Sequence, residues 1–445
     1  MEEALPRHSL THLSSVLKRA GHNVMLVDLR LLSGWREFEE TIKRSDADFV
    51  CVTSHTSEAR ISLDALRRAK RARTECVTVA GGIHWTMFPD QAIAHGDADF
   101  VIRGEGEIGL LQVMAKPADF PTVFWGEPPE LDDLPFEDRE LFPDHAVNIY
   151  FPLWNLSTPI VDILTGRGCP WNCRFCCGPG EKNLFTRNSI KHPGERRPHI
   201  RRRSPSHVLE ELRHLFRKYQ FQSLVFHDDQ FLTDPAWATE FCQRMHNEGY
   251  PKRGVRWWAA SRADMICRHP EAIREMKEAG LAIVSIGFES FNDSMLQWLN
   301  KGVDAATNFR AARICQELGL DIYANVIFGV PREDGTWHVE DDLETIEAIE
   351  KIRPRYVSPS YLNPIPGSWF YDWFSEKNLL RGEALEETGS RWPDRKPLRG
   401  VDYKRLDGLL SGIRKAYGEP WKDRMRHCRY QLRLLKRKLT RAGCG

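Results

Sequence analysis

Apolar residues follow two different spacings over the first quarter of the chain. Helical patterns at 10–20, 35–44, 62–71 and 90–95 separate short apolar runs at 23–29, 49–53, 76–80 and 100–103. Short apolar runs between amphipathic helices are typical of buried strands in a parallel sheet. We therefore predict a Rossmann-like α/β domain at residues 1–116.

Small and polar residues follow three of these predicted strands. Open parallel sheets bind ligands beyond the carboxyl ends of their strands, so these positions form a candidate ligand rim. The rim consists of Ser54, His55, Thr56, Gly81, Gly82, Ile83, His84, Gly104 and Glu105. In the alternative interpretation, Gly81 and Gly82 only form a turn, and His55 and His84 are surface or packing histidines.

A second α/β pattern fills the middle of the chain. Proline-rich sequence at 117–157 is predicted to be a linker, and six candidate strands follow at 160–164, 223–226, 256–260, 283–288, 322–328 and 356–362. Helical patterns lie between them. Six βα units of this kind predict a partial barrel at 158–375, with its active site at the carboxyl ends of the strands. Residues 376–445 are predicted to be a helical, basic extension.

The composition limits the classes of partner that we expect for this chain. A formal net charge of +1 indicates no general attraction to polyanions, so we expect no nucleic-acid partner. No apolar run approaches the ~20 residues of a membrane-spanning helix, and the start lacks the layout of a signal peptide, which predicts a cytoplasmic protein. The basic stretch 424–441 leaves packing on the barrel, binding of an anionic substrate, peripheral membrane contact and a solvated helix open.

Four cysteines lie close together directly after the first predicted barrel strand. Cys169, Cys173 and Cys176 have the spacing C-x3-C-x2-C in a glycine-flanked loop, and Cys177 follows at once. Three thiolates leave one iron of a cubane cluster open for a ligand, whereas structural zinc prefers four closed ligands. The spacing therefore favours a 4Fe-4S cluster over zinc, with Cys177 as a secondary candidate ligand.

With this loop the chain resembles the radical S-adenosylmethionine (SAM) superfamily. The resemblance extends over residues 9–375 and includes an N-terminal domain similar to the cobalamin-binding module of one branch. Further matching segments are His227-Asp228-Asp229-Gln230-Phe231, Ser261-Arg262-Ala263-Asp264, Gly287-Phe288-Glu289-Ser290, Asn300-Lys301-Gly302 and Asn363-Pro364-Ile365-Pro366-Gly367. In two respects the chain departs from the module: it lacks the Asp-x-His-x-x-Gly signature of an axial histidine, and the first strand is missing.

The resemblance assigns a role to individual residues. The three cysteines would bind three irons of the 4Fe-4S cluster, and the fourth iron would bind SAM. The remaining SAM contacts that it implies are Phe175, Ile327 and Asn363 at the adenine, Asp229 or Asp228 at the amino group, Arg262 at the carboxylate and Glu289 at the ribose. Cobalamin would bind at the N-terminal rim. Each of these residues, taken alone, is equally consistent with a structural role.

The implied activity is methyl transfer to an unactivated carbon of a small molecule or natural product. One SAM would supply the methyl group as methylcobalamin, and a second would give the 5′-deoxyadenosyl radical that removes a substrate hydrogen. An electron donor such as flavodoxin or ferredoxin would be needed. Two alternatives stay open: a radical cyclase, oxidoreductase or rearrangement enzyme, and a non-catalytic cobalamin or iron-sulfur sensor.

Overall fold

The computed structural model of the chain describes residues 8–94, 96–142, 156–191, 199–381 and 396–417, with only the backbone of 185–191. The basic stretch 424–441, to which the membrane-contact hypothesis belongs, lies outside the described residues. Within the described residues, none of the helices has the length and apolar character needed to cross a bilayer.

The N-terminal domain contains one parallel sheet of four strands in the order β1-β2-β3-β4. Its strands are β1 (Phe49–Thr53), β2 (Val77–Gly81), β3 (Phe100–Gly104) and β4 (Val123–Gly126). Its helices are α1 (His8–Arg19), α2 (Trp35–Ser45), α3 (Ala59–Ala72), α4 (Ile83–Met87), α5 (Pro89–Ile93) and α6 (Gly106–Ala115).

The structure departs from the predicted pattern of this domain at three places. Residues 23–28 form no strand, and Val24 and Val27 instead pack against two separate apolar clusters. The predicted helix 90–95 corresponds to α5, and the short helix α4 before it was not predicted; the two stay separate because Pro89 has no N–H group with which to continue α4. Part of the predicted linker is the edge strand β4, which pairs with β3 through Val101 and Val123.

The second sheet confirms the predicted partial barrel, since six parallel strands are ordered β12-β11-β10-β9-β8-β5. Its strands are β5 (Ile160–Ile163), β8 (Ser223–Phe226), β9 (Arg256–Ser261), β10 (Leu281–Glu289), β11 (Asp321–Phe328) and β12 (Tyr356–Tyr361). A short antiparallel pair, β6 (Gly166–Arg167) with β7 (Arg201–Arg202), was not predicted.

Helices cover the outer face of this sheet. The helices of this part of the chain, not all of which lie on that face, are α7 (Gly178–Lys191), α8 (Pro205–Tyr219), α9 (Pro235–Asn247), α10 (Ala263–Arg268), α11 (Pro270–Glu278), α12 (Asp293–Trp298), α13 (Ala305–Glu317), α14 (Val339–Ile352), α15 (Trp369–Glu376) and α16 (Tyr403–Tyr417). Proline begins α8, α9 and α11 as predicted, since a first-turn N–H has no helical partner to lose.

Side chains alternate between the two faces of each barrel strand. Val161 and Ile163 point outward into the main core, while Ile160 lies in a separate cluster with Val225 and Trp258. Because side chains alternate with a period of two, Asp162 and His227 belong to the same inward set as Ile160 and Val225. The lumen is therefore apolar at one level and charged at the next.

Asn308 holds the carboxyl end of β10 in place. Its buried side-chain amide donates hydrogen bonds to the carbonyl oxygens of Phe288 at 3.2 Å and Ser290 at 2.9 Å, on either side of Glu289. We expect Asn308→Ala to lower the free energy of unfolding by about 1–3 kcal/mol, because a buried carbonyl loses its partner. Urea denaturation measures this loss. The control Arg313→Ala, which removes an exposed ion pair on the same helix, should cost under about 0.5 kcal/mol; equal losses would contradict the assignment.

Candidate active site

The cysteine loop lies at the carboxyl end of the barrel, directly after β5 and β6. Gly168 turns the chain with a φ of 86°, and a Cβ there would meet the carbonyl oxygen of His199 at 2.4 Å. The loop then contacts the rest of the barrel, because the Arg174 N–H donates to the carbonyl of Leu299. The close approach at Gly168 requires glycine.

Cys169, Cys173 and Cys176 are all partly exposed, and their thiols interact electrostatically with one another. Burial raises the pKa of Cys169 to about 11 and also raises that of Cys173. A hydrogen bond from Cys177, assisted by the N–H of Gly178, lowers the pKa of Cys176 to about 7. Since iron binds the thiolate, cluster binding at this loop must release protons.

The spacing of the sulfur atoms distinguishes a cluster from a single ion. Four zinc–sulfur bonds of about 2.3 Å place tetrahedral sulfurs roughly 3.8 Å apart. Within the described residues, no three of the cysteine sulfurs lie within 4.8 Å of one another. The loop therefore fits a multinuclear cluster better than a mononuclear zinc ion.

The two predicted acidic residues after β8 have different surroundings. Asp228 is buried, and its carboxylate accepts hydrogen bonds from the N–H of Thr165 and, at 2.8 Å, from the Thr165 hydroxyl. Asp229 is exposed at the mouth of the barrel, where desolvation by the surrounding protein and then the charge of Asp228 raise its pKa. Asp228 thus fixes the end of β5, while Asp229 remains open to a cationic ligand.

Arg262 lies against the cysteine loop rather than in open space. Its buried guanidinium donates to Asp264 at 2.8 Å and to the carbonyl of Lys301, and it packs 4.6 Å from the ring of Trp171. The remaining nitrogen, Nη1, is 3.7 Å from the sulfur of Cys173. Two nitrogens of the guanidinium therefore bind protein oxygens, and the third lies beside a predicted ligand of the cluster.

Glu289 ends β10 in an unusual conformation, with a φ of 64° after a register shift. Its carboxylate forms a buried ion pair of 2.9 Å with Lys301, a residue to which the sequence analysis gave no role. A Cβ on Gly287 would meet the Glu289 carboxylate at 2.4 Å and the Lys301 ammonium at 2.9 Å. A side chain at position 287 would therefore displace the two ends of this ion pair.

Phe175, Ile327 and Asn363 lie at the same end of the barrel. Phe175 packs against the main core, with the Lys301 ammonium 5.8 Å from its ring centre. Ile327 is the second-last residue of β11, and Asn363 follows β12 by two residues. All the predicted SAM contacts are therefore on the mouth of one barrel.

The predicted N-terminal rim also comes together. The N–H of Ser54 donates to the carbonyl of Gly81, and the N–H of His84 donates to the carbonyl of Ser54. A Cβ on Gly82, which has a φ of 97°, would meet the Thr53 hydroxyl at 2.6 Å. This close approach leaves a glycine-lined backbone surface at the ends of β1 and β2.

Several polar side chains of the rim contact protein rather than open space. His84 is fully buried between the Thr56 hydroxyl at 3.2 Å and the Gln91 amide oxygen at 3.1 Å. Ser54 accepts a hydrogen bond from the indole of Trp85. His84 therefore fits the packing interpretation and cannot reach a cobalt ion without losing both contacts, whereas His55 is exposed.

Ion pairs join the rim to the cysteine loop. Arg167, two residues before Cys169, pairs with Glu105 and, at 2.6 Å, with Glu107. Arg201 also pairs with Glu105. Although burial opposes it, the charge of Arg167 lowers the pKa of Glu107. Glu105 therefore joins the two domains, a role that the sequence analysis missed because its partners lie far along the chain.

Two family models match the chain. Residues 4–113 match the model described as the B12 binding domain, and residues 163–346 match the radical SAM superfamily. The first match includes β1 to β3 of the four-stranded sheet, and the second extends from the end of β5 into α14 of the partial barrel.

Related proteins match over most of the chain. An uncharacterized methyltransferase of Pyrococcus horikoshii is 25% identical, over 93% of this chain and 87% of its own length. The hopanoid C-3 methylase of Methylococcus capsulatus is 26% identical, over 82% of this chain and 67% of its own length. The anaerobic magnesium-protoporphyrin IX monomethyl ester cyclase of Cereibacter sphaeroides is 25% identical, over 98% of this chain and 72% of its own length.

A solved structure has the same fold. The radical SAM methyltransferase TsrM of Kitasatospora setae, determined with cobalamin and a 4Fe-4S cluster bound, superposes with a TM-score of 0.62 at 16% identity. The superposition covers 84% of this chain and 75% of that one. Both domains of the present chain therefore occur together in a known architecture.

Proposed function

We propose that this chain, which belongs to the cobalamin-binding branch of the radical SAM enzymes, transfers a methyl group from SAM to an unactivated carbon of a small molecule. One observation carries the proposal. The glycine-lined rim and the cysteine loop lie at one junction, joined by Arg167 with Glu105 and Glu107. A methyl carrier at the rim and a radical source at the loop would therefore face a shared space.

Cys169, Cys173 and Cys176 are proposed to hold the 4Fe-4S cluster. No three of the described cysteine sulfurs lie within 4.8 Å of one another, and Arg262 places a positive charge beside Cys173. A cation at this distance favours the thiolate and offsets part of the negative charge of a thiolate-bound cluster.

SAM is proposed to lie across the mouth of the barrel. Asp229 would accept a hydrogen bond from its amino group, since Asp228 is already committed to Thr165. Glu289 would accept from the ribose hydroxyls while Lys301 holds its carboxylate in place. Phe175, Ile327 and Asn363 would frame the adenine, and Arg262 would be close to the methionine carboxylate.

Cobalamin is proposed to bind on the N-terminal rim without a contact from the ring of His84, which is buried and hydrogen-bonded. Gly81, Gly82 and Gly104 would allow the backbone to approach the cofactor closely, and His55 and Ile83 would flank it. When bound, the cofactors supply the radical and methyl-transfer chemistry, and the protein positions them and excludes water. The electron donor is proposed to be flavodoxin or ferredoxin.

A second candidate function is radical cyclisation. It is favoured by the match to a cyclase over 98% of this chain, at an identity equal to that of the methyltransferase relatives. A cyclase needs the radical source but no methyl transfer, so the products derived from SAM distinguish the two. A non-catalytic sensor would form neither product.

We expect the anaerobically reconstituted, reduced protein to convert SAM into both S-adenosylhomocysteine and 5′-deoxyadenosine. The first remains after methyl donation, and the second records reductive cleavage. Chromatography with mass detection measures both. S-adenosylhomocysteine should disappear when hydroxocobalamin is left out of the reconstitution. Formation of 5′-deoxyadenosine alone would instead support the cyclase.

Replacing each of Cys169, Cys173 and Cys176 by alanine should abolish the cluster, because two thiolates cannot hold a cubane. Wild-type protein and Cys177→Ala should both keep about four irons per chain. Iron analysis and absorption spectra after anaerobic desalting measure this. Cys267→Ala, a partly exposed cysteine outside the loop, is the matched control. Iron loss in Cys177→Ala as complete as in the other three would overturn the ligand assignment.

Asp229→Asn should weaken SAM binding by about tenfold or more, since a hydrogen bond to a charged group contributes about 1.5–3 kcal/mol. Equilibrium dialysis of the cluster-loaded protein measures the affinity, and iron content shows whether the site is intact. Glu240→Gln removes one exposed carboxylate on the outer helix α9 and should bind SAM like the wild type. Unchanged affinity in Asp229→Asn would exclude the amino-group contact.

A further inference from the structure

Three potential metal ligands meet in the lumen of the barrel, apart from the cysteine loop. His8 begins α1 of the N-terminal domain, Asp162 is on β5, and His227 directly follows β8. Asp162 is fully buried, and the side chains of His8 and His227 are 15% and 19% exposed. Residues distant in sequence thus converge where the N-terminal helix covers the open barrel.

The distances between the ligand atoms suit one small cation. His8 Nε2 is 3.1 Å from Asp162 Oδ2, His227 Nε2 is 3.6 Å from the same oxygen, and all three atoms lie within 4.8 Å of one another. A tetrahedral zinc ion with ligand bonds of about 2.0–2.1 Å places its ligand atoms roughly 3.3 Å apart. Two of the separations bracket that value.

Neighbouring side chains orient two of these ligands. His8 Nδ1 is 2.8 Å from Glu137 Oε1, which directs Nε2 toward the centre of the group. Asp162 Oδ1 accepts a hydrogen bond of 2.9 Å from Arg139 Nη1. Asp162 Oδ2 is buried and faces the two imidazoles, of which His8 Nε2 is the nearer at 3.1 Å. Carboxylate–histidine pairs of this kind support metal ligands in many proteins.

Charge also favours a cation at this position. Two buried carboxylates, Glu137 and Asp162, face one buried guanidinium, Arg139, so one negative charge is left over when His8 is neutral. Buried charges without a counter-charge are costly. Either a proton on His8 or a metal ion supplies the missing positive charge, and the two are competing occupants of the same space.

We propose that His8, Asp162 and His227 form a second metal site, for a divalent transition metal of the zinc class. Two imidazoles and one carboxylate are a donor set that zinc accepts, and three protein ligands leave a fourth position for water or a ligand oxygen. The ion would fasten α1 to β5 and to the end of β8. It would therefore fix the N-terminal domain against the barrel without any sulfur ligand.

The absence of sulfur from this donor set allows the site to be tested beside the iron-sulfur cluster. The anaerobically purified, cluster-loaded full chain is incubated with zinc sulfate and desalted, and its zinc and iron are measured by mass spectrometry. We expect about one zinc per chain, with zinc–nitrogen and zinc–oxygen distances of about 2.0–2.1 Å by X-ray absorption and no sulfur shell at about 2.3 Å.

Variants separate the two metals. Asp162→Asn and His227→Gln should weaken zinc binding by more than about tenfold while the iron content stays unchanged, since they lose direct ligands. The triple alanine variant of Cys169, Cys173 and Cys176 should lose iron and retain zinc. His207→Gln, at a partly buried histidine near Asp132, is the matched control and should retain both metals.

Three results would contradict the proposed zinc site. They are no zinc retained by the wild type, a zinc–sulfur shell in the X-ray absorption spectrum, or an equal zinc content in Asp162→Asn and the wild type. The first would assign the space to a proton on His8. The second would place the zinc on the cysteine loop. If the variants do not fold, the X-ray absorption spectrum of the wild type decides, because nitrogen and oxygen ligands differ from sulfur in distance.

Discussion

The ion pairs of Arg167 with Glu105 and Glu107 determine how the two domains meet. Arg167 belongs to the same loop as Cys169, and Glu105 and Glu107 follow the third strand of the N-terminal sheet. Both strand ends are the carboxyl ends, at which parallel sheets bind ligands. Together with the pair of Arg201 and Glu105, this guanidinium therefore holds the ligand-binding edges of the two sheets together.

An open barrel has a cost that a closed one avoids. Strands β5 and β12 are edges of the six-stranded sheet, so the inward side chains of β5 need a cover from elsewhere in the chain. Here α1 and the segment with Glu137 and Arg139 provide it, and their contacts with Asp162 are charged. Buried charges stabilise only when each has its partner, so the junction selects one relative position of the domains.

Patterns that depend on neighbours in sequence could be predicted, and those that depend on neighbours in space could not. The six barrel strands and the cysteine loop follow from local spacing. Residues 23–28 have the composition of a strand but form none, because a strand also needs a backbone to pair with. Likewise, Asp228 and Asp229 are equivalent in sequence, and only the position of Thr165 separates their roles.

For the same reason, the charged level in the lumen could not be predicted from the sequence. His8, Asp162 and His227 match no spacing motif, and each alone is an ordinary polar residue. In the fold, the period-two alternation of β5 and β8 puts Asp162 and His227 one level above Ile160 and Val225, so the wall changes from apolar to charged within one step. Since an apolar lumen would be simpler to fill, a charged level with oriented imidazoles argues for an added positive charge there, from a metal ion or a proton on His8, rather than for packing alone.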